Sequence, residues 1–250
     1  MPALPGKVAD VAKDDEIDYM SRMTEAGRIH AIGKPWSDPA RGQYLQEVGS
    51  MMTLMPQPPA RLLDMGAGTG WTSCLFALGG YSVTAADIAP DMVALHAQNA
   101  ARYGVELASV VCDFESVPFD DEFDVVVFYD CLHHAHDEVA ALRNAHRALR
   151  VGGVCITLEP GRGHRDSADS VRTMQLFGTT ERDMPPSTII AAAQAVGFAS
   201  HAVHERPIDP PQISTGRWSR PATIVGAARR WIGRTAPMAM SRSQLVVLRK

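Results

Sequence analysis

The sequence predicts an α/β protein with a doubly wound, mostly parallel seven-stranded sheet and helices on both faces. Three observations lead to this fold class. Short β-branched, apolar runs alternate with helical segments from residue 60 onward. The first run ends in a glycine-rich turn, and each of the first five runs ends in an acidic residue. Apolar strands that alternate with helices are typical of a sheet whose two faces are both covered.

Length and composition are those of a globular enzyme-sized chain. The 250 residues are 46% hydrophobic, which is enough for one substantial core. A net charge of −4 gives no reason to expect nucleic acid as a partner. No stretch reaches the ~18 apolar residues of a membrane span, and residues 1–7 do not resemble a signal peptide, so we expect a cytoplasmic protein. The cysteines lack metal-ligand spacing and are predicted to be buried, reduced thiols: Cys74, Cys112, Cys131 and Cys155.

The elements are predicted in a regular order. Residues 1–55, with helical spacing over 14–30 and 44–54, form an N-terminal helical cap or lid, and residues 56–250 form the sheet domain. The predicted strands are 60–65, 81–86, 108–112, 123–129, 154–158, 198–204 and 244–249. The predicted helices between them are 71–78, 90–103, 137–150 and 187–196. Polar inserts of about residues 161–186 and 205–240 follow the fifth and sixth strands.

The first strand leads into the turn Asp64-Met65-Gly66-Ala67-Gly68-Thr69-Gly70-Trp71. A strand, a glycine turn and a helix bring backbone N–H groups and a helix N-terminus close to a nucleotide-like ligand. The third glycine of the dinucleotide pattern would fall on Trp71, which is too bulky for close approach to a pyrophosphate. The carboxylate of Asp64 suits a ligand that carries an ammonium and a sulfonium group.

This Asp-x-Gly-x-Gly-x-Gly pattern resembles motif I of the class I S-adenosylmethionine (SAM) methyltransferases, and the resemblance extends over about residues 60–160. It implies SAM as the cofactor, with S-adenosyl-L-homocysteine as the product, and a late hairpin at the C-terminal edge of the sheet. Asp87 would accept the ribose hydroxyls, and Asp113 and Phe114 would contact the adenine. The full predicted cofactor-binding set is Asp64, Gly66, Ala67, Gly68, Gly70, Asp87, Ile88, Met92, Asp113, Phe114 and Asp130.

A second motif follows the fourth strand. The Leu-His-His-x-x-Asp sequence over residues 132–137 resembles a large subgroup of small-molecule methyltransferases. An alcohol is a poor nucleophile, so its methylation needs a base near the attacking oxygen, and histidine suits that task at neutral pH. One of the two histidines could instead be a packed residue that bonds to the backbone. The predicted catalytic residues are His134, His133, Glu159 and Asp130, with His134 as the first choice for the base.

Two further sets of polar residues are considered. His134, His136 and Glu159 could join Asp130 around a divalent metal ion, but their spacing is not diagnostic, and no metal is predicted. Substrate contacts are expected from Tyr44 and Trp36 in the cap and from His164 and Glu181 in the first insert. The alternatives are a packed helix pair for the cap and a solvated loop for the insert.

The sequence therefore predicts SAM-dependent methylation of a small molecule at a hydroxyl oxygen. A sugar or polysaccharide is the first choice of acceptor, because the strand ends are polar and only 6% of the residues are aromatic. A natural-product or quinone-like acceptor is the second choice. A SAM-binding scaffold without catalysis and a nucleotide-binding oxidoreductase are the alternatives outside this class.

The C-terminal region carries an excess of positive charge. From His201 onward there are nine basic and two acidic residues. The prediction is a solvated face or a weak contact with an anionic surface, through an amphipathic helix over residues 222–234. The motif Asp209-Pro210-Pro211-Gln212 is interpreted as a proline turn. Self-association as a homo-oligomer is left open.

Overall fold

A computed structural model describes residues 13–207 and 243–250 of the chain. The strands are β1 (Arg61–Met65), β2 (Ser82–Asp87), β3 (Ala108–Val111), β4 (Phe123–Tyr129), β5 (Leu149–Leu158), β6 (Ser200–Glu205) and β7 (Gln244–Arg249). They form one seven-stranded sheet in the order β3-β2-β1-β4-β5-β7-β6. Strands β1 to β5 pair in parallel, whereas β7 is antiparallel to both of its neighbours. The sheet is therefore mixed, and the predicted seven-stranded α/β fold is confirmed.

The helices are α1 (Tyr19–Arg22), α2 (Glu25–Gly33), α3 (Arg41–Leu54), α4 (Trp71–Leu78), α5 (Pro90–Tyr103), α6 (Glu138–Ala148), α7 (Ala168–Phe177) and α8 (Pro186–Val196). Helices α4 and α5 have the predicted bounds. Helix α7 lies inside the first insert and was not predicted from the sequence. Its N-cap is Ser167, whose side chain accepts from the Ser170 N–H group, and Ser170 is its only buried residue. Val171, Met174 and Phe177 recur at helical spacing and were the signal that could have revealed this helix.

The core consists of two layers, one on each face of the sheet. Alternate residues of a strand point to opposite faces, so Val126 packs with α6 and α8, while Val125 and Val127 pack with α3 and α4. Met51 of α3 is fully buried in the second layer. Helix α3, at the end of the predicted cap, thus belongs to the core of the sheet domain.

Two sequence predictions concern regions beyond these elements. Within the described residues, no helix combines the length and the apolarity that a bilayer crossing requires. The predicted helix over 222–234, the proline turn at 209–212 and nearly all of the second insert lie outside the described residues.

Candidate active site

Two adjoining cavities lie at the carboxyl ends of the parallel strands. The first has a volume of about 420 Å³ and the second about 630 Å³. Gly66, Gly68 and Asp130 line both of them. Open α/β sheets bind their ligands at this edge, so the two cavities together form the candidate site.

The three glycines of the β1–α4 turn all have positive φ angles, but for different reasons. A Cβ atom at Gly66 would come within 2.7 Å of Cys131, and one at Gly70 within 2.9 Å of His96. A Cβ at Gly68 would meet no protein atom within 4 Å. Packing therefore accounts for the first and third glycines, whereas Gly68 faces the open space of the cavities.

Asp87 ends β2 and lines the first cavity. Its two carboxylate oxygens accept hydrogen bonds from the backbone N–H groups of Gly68 (2.8 Å) and Ala89 (2.9 Å). Burial raises the pKa of Asp87 to about 6, and the two N–H bonds oppose this shift. The other predicted cofactor residues that line the same cavity are Gly66, Gly68, Ile88, Met92, Asp113, Phe114 and Asp130, while Ala67 lines the second cavity.

Asp64 lies outside the lining of both cavities, unlike the sequence expectation of a ligand contact. Its buried carboxylate accepts hydrogen bonds from the hydroxyls of Thr72 (2.7 Å) and Ser73 (2.6 Å) in the first turn of α4. Burial raises the pKa of Asp64 to about 6 despite these bonds. Asp64 thus holds α4 onto β1. Gly70, the N-cap residue of α4, also lines neither cavity.

The N-terminal segment reaches the first cavity. The ammonium of Lys13 lies 2.5 Å from the Asp113 carboxylate and 2.6 Å from Glu115. Glu16 accepts a hydrogen bond from the Thr180 N–H group (2.9 Å) in the first insert. Lys13, Glu16 and Tyr19 line the cavity. No sequence pattern pointed to these three residues, because they meet their partners across 100 or more residues of chain.

Asp130 directly follows β4 and has a φ angle of +53°. Its N–H group donates to the Leu158 carbonyl (2.8 Å), and its carboxylate is exposed in both cavities. A non-glycine residue in the left-handed region stores strain, and such residues cluster at functional sites. Asp130 therefore stands where the two cavities join.

His133 is buried between two carboxylates. Its Nδ1 atom is 2.8 Å from Glu159, and its Nε2 atom is 3.5 Å from Glu181. Burial alone would lower the pKa of His133, but the two carboxylates outweigh it and raise the pKa to about 10. With both ring nitrogens facing acids, His133 is poorly placed to accept a proton from a substrate.

Glu159 holds the turn that carries the two histidines. Its carboxylate accepts hydrogen bonds from the N–H groups of Cys131 (3.1 Å), Leu132 (2.9 Å) and His133 (3.2 Å). The residue is almost fully buried and lines neither cavity. Glu159, predicted from the sequence as catalytic, is placed here as a positioning residue beneath the site.

His134 lies at the wall of the first cavity, beside the first insert. Its Nδ1 atom is 2.6 Å from the Thr180 carbonyl oxygen, so this nitrogen carries a hydrogen and donates it. The Nε2 atom of His164 lies 2.8 Å from Glu181. The ring of His133 lies 4.1 Å from that of His134 and 4.9 Å from that of His164, between centroids. The structure thus brings His133, His134, His164 and Glu181 together.

Of the two aromatic residues predicted to contact substrate, only Tyr44 lines a cavity. Tyr44 lines the second cavity, 5.6 Å between ring centroids from Trp71, and donates to Asp38 (3.2 Å). Trp36 lines neither cavity: it is exposed, and its indole N–H donates to the Tyr103 hydroxyl (2.9 Å). Tyr129, which was not predicted as a site residue, packs edge-on against Trp71 and lines the second cavity.

Known proteins resemble this chain in sequence over its central part. Residues 63–157 match a family model described as a methyltransferase domain. A ubiquinone biosynthesis O-methyltransferase from Xanthomonas campestris pv. campestris is 33% identical over 138 residues, which are 52% of this chain and 58% of that protein. A demethylmenaquinone methyltransferase from Thermus thermophilus is 32% identical over 108 residues, which are 42% of this chain and 49% of that protein. The chain thus spans about half the length of these relatives.

A solved structure resembles the chain over nearly all of its length. The phosphoethanolamine N-methyltransferase 2 of Haemonchus contortus, in complex with SAM, superposes with a TM-score of 0.63 at 18% identity. The match covers 99% of this chain and 60% of that one. At this identity the likeness concerns the fold. Residues 63–157 thus match a methyltransferase domain model, and the chain as a whole shares the fold of this solved methyltransferase structure.

Proposed function

We propose that this chain transfers a methyl group from SAM to a hydroxyl oxygen of a small molecule. The observation that carries the proposal is the composition of the first cavity. Asp87, Asp113 and Phe114 at the ends of β2 and β3, and Asp130 and His134 after β4, all line this cavity. A methyl donor and an acceptor hydroxyl bound there would share one enclosure.

The residues present fit SAM. Each carboxylate oxygen of Asp87 accepts one backbone N–H and keeps a lone pair for a ribose hydroxyl. Gly68 leaves open the space that a side chain would take from a ligand. Asp113 is already paired with Lys13, so an adenine amino group would have to share or displace that ammonium.

SAM supplies an electrophilic methyl group on its sulfonium, and the chain's own residues act on the acceptor. When the His134 ring is neutral, the Nδ1–H that it donates to Thr180 leaves the lone pair on Nε2. That atom is suited to accept the hydroxyl proton while the oxygen takes the methyl group from the sulfonium sulfur, which leaves S-adenosyl-L-homocysteine as the co-product. Asp130, exposed at the junction of the cavities, is the second candidate for this role. His133, held by Glu159 and Glu181, fixes the position of its neighbour.

Two acceptor classes are favoured by different features. The histidines and acids of the first cavity suit a sugar or another polyhydroxylated acceptor. The second cavity favours a quinone-like acceptor, because its wall includes the rings of Tyr44, Trp71 and Tyr129. The relatives named for ubiquinone and demethylmenaquinone point in the same direction.

The test is a transfer assay with methyl-labelled SAM over sugars, quinols, phenols and cell extracts, with products identified by mass spectrometry. We expect a labelled O-methyl ether that is absent with the Asp87→Ala variant. Binding of SAM without turnover on any acceptor would instead favour a scaffold. Binding of a nicotinamide cofactor would favour an oxidoreductase.

A further inference from the structure

Three side chains in the wall of the first cavity are close enough to share one ion. His133, His134 and Glu181 each offer a ligand atom, and these atoms all lie within 4.8 Å of one another. Nε2 of His133 is 3.5 Å from Glu181 Oε2. Two ligand atoms about 2.1 Å from one tetrahedral ion are about 3.4 Å apart. The separation between these two atoms is therefore that of two ligands of one metal.

Each of the three side chains is also held by an outer partner. Nδ1 of His133 faces Glu159 (2.8 Å), and Nδ1 of His134 donates to the Thr180 carbonyl (2.6 Å). Glu181 pairs with His164 (2.8 Å). In metal sites the second nitrogen of a ligand histidine characteristically bonds a carboxylate or a carbonyl, and ligand carboxylates are themselves hydrogen-bonded. All three candidate ligands meet this condition.

We propose that His133, His134 and Glu181 bind a divalent transition-metal ion. Two imidazoles and one carboxylate suit Zn²⁺, Fe²⁺, Co²⁺ or Mn²⁺. A ligand imidazole binds through a nitrogen that carries no proton, so the ion would take the place of any proton on Nε2 of His133. The set differs from the metal alternative considered from the sequence, because Glu159 is an outer partner and neither Asp130 nor His136 belongs to the cluster.

This metal site stands independently of methyl transfer, but the two proposals meet at one atom. Nδ1 of His134 is engaged by Thr180, so Nε2 is the atom left to bind a metal. In the metal-bound protein that atom cannot be the base, and Asp130, the second candidate for the base, then takes that role. A hydroxyl bound to the ion would lose its proton more easily, because the positive charge stabilises the oxyanion.

The test is titration of the metal-stripped full chain with Co²⁺, followed by visible absorption, and with Zn²⁺, followed by calorimetry, without SAM or acceptor. We expect one saturable site in the wild-type protein. Glu181→Gln and His134→Ala should weaken metal binding by at least about tenfold, and His164→Ala by about ten- to a hundredfold through its outer bond. His136→Ala is the matched control, since it lines the same cavity outside the cluster and should leave metal affinity unchanged.

Thermal melts and SAM affinity show whether each variant is folded. Absence of saturable binding in the wild-type protein would overturn the proposal. So would equal affinity in folded Glu181→Gln and His134→Ala variants. Metal binding without methyl transfer would support the metal site and reject the proposed function. Methyl transfer at an unchanged rate by a protein that binds no metal would support the proposed function and reject the metal site.

Discussion

The cofactor side and the acceptor side of the site are built in different ways. On the cofactor side, contacts are local and rely on the backbone: Gly68 donates to Asp87, 19 residues away. On the acceptor side, side chains meet across long stretches of chain. His134 contacts Thr180, 46 residues away, and Glu16 contacts the same Thr180, 164 residues away. A local motif can therefore specify the donor, while inserts and the N-terminal segment shape the acceptor site.

The sharpest way to separate the two sides is to remove His134. We expect His134→Ala to lower turnover by roughly 10²–10⁴, which is the usual cost of losing a general base. SAM affinity should stay unchanged, because the cofactor-side contacts of Gly68 and Asp87 do not involve this ring. Single-turnover assays and calorimetry measure the two quantities.

The outcome that would contradict this prediction is near wild-type turnover in His134→Ala. Asp130→Asn would then be tested as the alternative base. If both variants kept their rate, proton removal would lie elsewhere, and His164 and Glu181 in the insert would be the next residues to replace.

The Asp87→Ala substitution is expected to have the opposite effect to His134→Ala, because it should weaken SAM binding directly. The substitution leaves the N–H groups of Gly68 and Ala89 without their acceptor and the ribose hydroxyls without a partner. Unpaired buried groups cost about 1–3 kcal/mol each, so SAM should bind roughly a hundredfold more weakly. The matched control is Asp91→Ala, which removes an exposed acid from the first turn of α5. Equal calorimetric affinity in the two variants would refute the role of Asp87.

The cofactor side was predictable because its signals are local. The strand–turn–helix pattern and the acid that ends each strand placed Asp87, Phe114 and Asp130 at one edge. Asp64 shows the limit of such reasoning. Its spacing marks the turn, but only tertiary packing reveals that its carboxylate faces Thr72 and Ser73.

The acceptor side was predictable in composition but not in arrangement. The Leu-His-His sequence indicated two histidines, yet their unequal surroundings depend on Glu181 and Thr180, which lie 46 or more residues further along the chain. Residues 13–19 had no motif, and Trp36 was expected at the cavity but bonds to Tyr103 instead. Long-range contacts of this kind leave no trace in local spacing.

Asp64 provides a test of whether the cofactor side is held by a buried acid. Its folded pKa of about 6 lies above the usual unfolded value near 3.9, so the folded state binds the proton more tightly. The stability that protonation contributes is fully present below about pH 4 and is lost as pH rises through 6. Asp64→Asn should therefore gain on the order of 2 kcal/mol relative to wild type between pH 4.5 and 7.5. Urea unfolding of both proteins at pH 4.5 and 7.5 measures their free energies of unfolding. A difference between the two proteins that is the same at both pH values would contradict the prediction.

The smallest expected effect is that of adding one methyl group to the cavity wall by the substitution Gly68→Ala. Gly68 and Gly104 have φ angles of +55° and +67°, and a Cβ at either would meet no protein atom within 4 Å. Alanine at each site should cost a similar 1–2 kcal/mol of stability, because both positions are left-handed. Gly104 ends α5 outside both cavities, so only Gly68→Ala should also weaken SAM binding, by about tenfold. Equal SAM affinity in the two folded variants would mean that the space in front of Gly68 is not where the cofactor binds.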